Sequence, residues 1–187
     1  MTYLPLLPAD MQNLVMRLPF RVGLYISESD QTGGNESAEA ERKALENIVT
    51  FYVEDTVKSE FAHEVMLQTL NLKSKWGEWG EDITKVPEEC YAVAKAMEGI
   101  VSAKEILAFK QNLLEVGITV AQAYCEFDEN ASTANKIEVY MSIFFRRLQA
   151  LFQGGGMPSN DALLNISPSE RSAINLLSDS LGIKVKF

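Results

Sequence analysis

Apolar residues in this chain recur three and four positions apart almost from end to end, and that spacing leaves helix as the only regular element able to bury them on one face. Ile106, Phe109, Leu113, Gly117, Val120 and Tyr124 form one such stripe behind Ser102-Ala103-Lys104-Glu105, whose spacing is that of a capping box. A second stripe, Ile137, Met141, Phe144, Leu148 and Leu151, runs into Gly154-Gly155-Gly156 and Pro158, which halt a helix and start a connector over 153–166. A third helix opens at Ser167-Pro168-Ser169-Glu170, continues through Ile174, Leu177 and Leu181, and stops at Gly182. The only alternating stretch, Ile183 to Phe187, has no second strand to pair with. The expected class is all-α: a single helical bundle of about seven to nine helices over 1–187.

Toward the N-terminus, Met11, Val15 and Leu18 predict a short helix ended by Pro19, so 1–19 is expected to be an extension, with a second helix from Phe20 to Ser27. Ala44, Ile48 and Phe51, then Phe61, Val65 and Thr69, fit one bent helix or two. Residues 73–89 lose the period and carry both tryptophans, which predicts an ordered loop; Pro87, Glu88 and Glu89 can open the helix that follows. Val22-Gly23 and Val116-Gly117 echo each other ahead of acidic segments. Such an echo points either to two helix pairs that each bracket an acidic turn or to chance, through the composition that apolar helices share.

A chain of 187 residues is long enough to bury roughly 70% of its unfolded surface without disulfide or metal. Seventeen Lys and Arg against 26 Asp and Glu leave a net charge of −9, which repels nucleic-acid phosphates and anionic lipid. Cys90 and Cys125 form no CxxC pair, and the opening MTYLPLLPAD has no basic region, so two free thiols in a reducing cytoplasm are expected. The longest apolar run, Val116 to Cys125, is too short to span a bilayer.

The segment most suggestive of chemistry is Glu28-Ser29-Asp30-Gln31-Thr32-Gly33-Gly34-Asn35-Glu36-Ser37-Ala38-Glu39. On a twelve-position calcium loop, Glu28 takes the first place, Asp30 the third, Thr32 the fifth, Gly33 the sharp turn and Glu39 the twelfth. The match is partial and describes a weak oxygen-rich site for a hard divalent cation, Ca²⁺ or Mg²⁺. The same residues also describe a solvated helix start capped by Asn35 or Ser37, with Glu36, Glu39 and Glu41 on the positive end of the dipole. Glu60 and His63 share a helix face at the spacing used by di-iron bundles. Such bundles need the motif twice, and His63 is the only histidine. With His63 as the sole imidazole, Ser-His and Cys-His nucleophiles have little support and an enzyme would rest on Glu60 and His63 in a site assembled across subunits, so no enzyme is expected. Trp76 and Trp79 either present an anchor to a protein partner or pin their loop to the protein's own core.

Val22 to Glu41, Leu113 to Leu148 and Ile166 to Gly182, roughly half the chain, resemble the TerB-like family of tellurite-resistance-associated helical domains. The resemblance implies a compact all-helical protein linked to stress response, with Asp30 and Glu39, and more weakly Glu28, as the acidic residues proposed to bind metal and no established enzymatic turnover.

Overall fold

A computed structural model describes residues 2–29, 38–53, 59–125 and 166–183. Among them are seven α-helices: α1 (Ala9–Ser29), α2 (Ala38–Phe51), α3 (Glu60–Asn71), α4 (Trp76–Trp79), α5 (Val86–Ala96), α6 (Ala103–Cys125) and α7 (Pro168–Leu181). Short 3-10 turns at Leu4–Leu6, Lys73–Lys75 and Ile83–Lys85 complete the regular structure, and no strand occurs among the described residues. The chain is an all-α helical bundle. The stripe expected over 137–151, the glycine connector and the alternating residues 184–187 lie outside the described residues.

The largest departure from the sequence-based expectation is at Pro19, which ends nothing: α1 runs through it, from Ala9 to Ser29. A proline inside a helix costs about 3 kcal/mol, because it lacks the N–H that would serve the carbonyl four residues back and its ring crowds that carbonyl. Burial outweighs the cost. Val15, Leu18, Phe20, Val22 and Ile26 are all buried, and each contributes about 1.5–3 kcal/mol on leaving water. Thr69 of α3 places its hydroxyl 2.6 Å from the Met16 carbonyl, one residue beyond the carbonyl that Pro19 cannot serve. Residues 2–19 are therefore no extension: Leu4 and Leu7 are buried as well, and α1 packs against all six other helices among the described residues.

Helix α6 is the second central element. Two glycines set how closely the central helices approach. A Cβ at Gly117 would lie 3.3 Å from Ile26 and 3.4 Å from Val22 of α1, and one at Gly23 would lie 2.3 Å from the Leu45 side chain of α2. Both Val-Gly pairs of the sequence echo thus stand at helix crossings, and one half of the echo packs on the other.

Two caps show which helix boundaries are local and which are not. At α7, Ser167 and Glu170 form the full reciprocal box, with Glu170 N donating to Ser167 Oγ at 3.2 Å and Ser167 N donating to Glu170 Oε2 at 2.8 Å. Its far end closes on Gly182 at φ 66°, with Ile183 N donating back to the Ser178 carbonyl at 3.0 Å. The expected box at Ser102 forms only in part. Glu105 N donates to Ser102 Oγ at 3.3 Å, but the Glu105 carboxylate turns to another helix and accepts from Ser59 Oγ at 2.5 Å and Phe61 N at 2.9 Å. Ser59 Oγ in turn accepts from Ala62 N at 3.1 Å, so Ser59 and Glu105 together close the N-terminus of α3. Glu105→Ala is expected to destabilise the fold by about 1–2 kcal/mol, and Glu105→Gln by less, because the amide keeps an acceptor oxygen. Urea unfolding and amide exchange over 61–63 check this; unchanged protection in Glu105→Ala would count against the shared cap.

Candidate functional site

Helices α1 and α2 pack against each other where Gly23 meets Leu45, about two turns back from their connection on either side. The acidic segment therefore joins two helices that are themselves held in the core. Glu28 lies in the last turn of α1 and is exposed. Asp30 lies outside the described residues; Glu39 falls in the first turn of α2, but its side chain lies outside them as well. Among the described residues no three or more His, Cys, Asp and Glu side chains come together as a metal cluster would. Of the proposed ligand set, the structure describes the side chain of Glu28 alone.

The tryptophan segment, expected as an ordered loop, is a series of short helical turns laid against α1. Trp76 is only 3% exposed; its indole N–H donates to the Thr69 carbonyl at 3.1 Å, and its ring stacks on Phe20 with centroids 4.5 Å apart and planes 26° from parallel. Of the two readings of Trp76, its packing matches the one that pins the segment to the protein's own core, because Phe20 and Thr69 offer the ring a stack and an acceptor at once. Trp79 is half-buried, 6.4 Å from Phe20 between ring centroids.

What holds this segment down is a residue that the sequence reading passed over. Arg21 of α1 is 2% exposed and uses four of its five N–H donors. Its Nη1 donates to the Trp79 carbonyl and, at 2.7 Å, to the Glu81 carbonyl; Nη2 donates to the Asp82 carbonyl at 3.1 Å; and Nε donates to Glu89 Oε2 of α5 at 2.8 Å. The other Glu89 oxygen accepts from Arg17 Nη2 at 2.7 Å. One buried guanidinium thus satisfies three main-chain carbonyls around Asp82, whose φ of 49° bends the chain back toward α5. The sequence signal was available: Arg21 is the lone charge in the run from Leu18 to Ile26, and a helix apolar on every side must bury it.

Among the described residues, the types that commonly carry chemistry do not gather in one cluster. Glu60 and His63 lie on the exposed face of α3. Cys90 is fully buried, and burial pushes its thiol far above the ordinary range, so little of the nucleophilic thiolate forms near neutral pH. Tyr52 is fully buried at the end of α2; its hydroxyl lies 3.2 Å from Thr119 Oγ1, which donates to the Glu115 carbonyl at 2.7 Å. Burial, and then the Glu115 charge, push the Tyr52 phenol well up.

These two groups fix an alkaline limit. Each is held neutral in the fold with its pKa above the ordinary value of 9.0 for the thiol or 10.0 for the phenol. The unfolded chain loses these protons from those values upward while the folded chain keeps them, so their contribution is intact below pH 9 and falls as pH rises beyond it. Between pH 9 and 10.5 Cys90 alone is expected to remove about 2 kcal/mol. Urea unfolding across that range checks it: Cys90→Ala should show a shallower decline than the parent, and equal slopes would refute the assignment.

Comparison with protein-family models, with curated proteins and with solved structures found no match to this chain. The TerB-like resemblance rests on the sequence motifs quoted above.

Proposed function

We propose that this protein is a non-catalytic, TerB-like helical binding module of the cytoplasm that takes up a divalent cation, Ca²⁺ or Mg²⁺, at the acidic turn between α1 and α2, and answers to stress by engaging a protein partner. The observation that supports it best concerns the helices that flank the acidic segment: α1 and α2 pack closely where Gly23 meets Leu45, and Glu28 is exposed in the last turn of α1. Anchored helix ends limit the ordering cost of drawing Asp30 and Glu39 together around an ion. The net charge of −9 favours cations over phosphate-bearing ligands. No helix among the described residues is long and apolar enough to cross a membrane, in keeping with a partner other than the bilayer core. A lone loop of this composition is expected to bind in the range of about 10⁻⁴ to 10⁻³ M.

Titrating the chelator-treated, isotopically labelled protein with Ca²⁺ and Mg²⁺ tests the reading. Amide shifts confined to 28–41 and absent in the Asp30→Asn, Glu39→Gln double variant are expected. No shift at millimolar cation would sink it and leave the acidic turn as a capped helix start.

A second reading, a metal-independent helical adaptor, draws support from the half-buried Trp79, which Arg21 holds in place through the Trp79 carbonyl. Affinity capture with Trp79→Ala addresses it, and an unchanged set of partners would remove that side chain from any interface.

A further inference from the structure

No further inference is drawn: the strongest candidate, the polar row that Asn112, Glu115 and Thr119 form along α6 beside Tyr52, just past the end of α2, leads to a buried Asn112 Oδ1 with no hydrogen-bond partner among the described residues, and nothing among them shows what covers that oxygen.

Discussion

Arg21→Met is expected to lower the unfolding free energy by about 3–5 kcal/mol, the usual cost of removing one partner from a buried charged network. The side chains are similar in length, so the apolar stem of Arg21 is retained and the loss falls on the guanidinium. Without it the carbonyls of Trp79, Glu81 and Asp82 lose a donor, and Glu89 keeps only Arg17. Each unsatisfied buried group costs about 1–3 kcal/mol, so three carbonyls and half of an ion pair reach the stated range even if water recovers some of them. In a domain of this size the change corresponds to a fall in Tm of about 6–20 °C. Arg17 is the internal control. Its side chain is 36% exposed, where that of Arg21 is 3% exposed, and Arg17→Met should cost about 1 kcal/mol or less, as screened pairs do. Arg21→Lys should fall between, because an ammonium keeps the charge but cannot reach four acceptors in a plane. Thermal unfolding of the three variants checks the argument; equal losses for Arg21→Met and Arg17→Met would overturn it.

The second large effect is at Trp76. Trp76→Ala is expected to cost about 3–5 kcal/mol, combining lost apolar burial, the cavity left above Phe20 and an idle Thr69 carbonyl. Trp76→Phe separates the contributions: it keeps a ring to stack on Phe20 and gives up only the indole N–H and some volume, for about 1–2 kcal/mol. Chemical denaturation of both variants is the measurement, and a Trp76→Ala protein as stable as the parent would mean the ring is not packed as described. Because Trp76 and Arg21 hold the same short stretch against α1, their losses should not add. The double variant should fall short of the sum by 0.5 kcal/mol or more, since once the segment lifts there is less left to remove. The arrangement also decides how the adaptor reading can be tested. A Trp76→Ala protein that fails to capture a partner has also lost stability, whereas Trp79→Ala disturbs a half-buried ring and leaves the Trp79 carbonyl in place for Arg21.

The sequence made the fold class legible, and it did best where the determinants of an element lie inside it. Helix α7 was readable at both ends because Ser167, Pro168, Glu170 and Gly182 act within a few residues of one another. Pro19 reads as a stop when the average cost of an internal proline is set apart from the burial on both sides; Met11, Val15, Leu18, Val22 and Ile26 in fact continue one stripe across it. Glu105 shows the opposite failure. Its local spacing was sound, but its carboxylate serves Ser59 and Phe61, and no spacing rule anticipates a partner more than forty residues away. Of the candidate site, the exposure of Glu28 is described, and Trp76 proved to be core. Asp30 was legible only as a residue type in a glycine-rich turn, where geometry is decided by loop conformation rather than by periodicity.

Helix α1 touches every other helix among the described residues, and this bears on how the protein is made. It leaves the ribosome before its partners, with Leu18, Phe20, Val22 and Ile26 exposed, while α6, whose Gly117 packs beside Val22 and Ile26, follows nearly a hundred residues later. At typical elongation rates that interval is on the order of 5–20 s, far longer than a helix takes to form or a short chain to collapse. For that time the nascent chain carries an apolar helix whose burial surface has not yet been synthesised. Closure over such long sequence separations slows folding and favours holding chaperones at the exit of the tunnel. A break anywhere between α1 and α6 would place the two halves of the central pair on separate fragments.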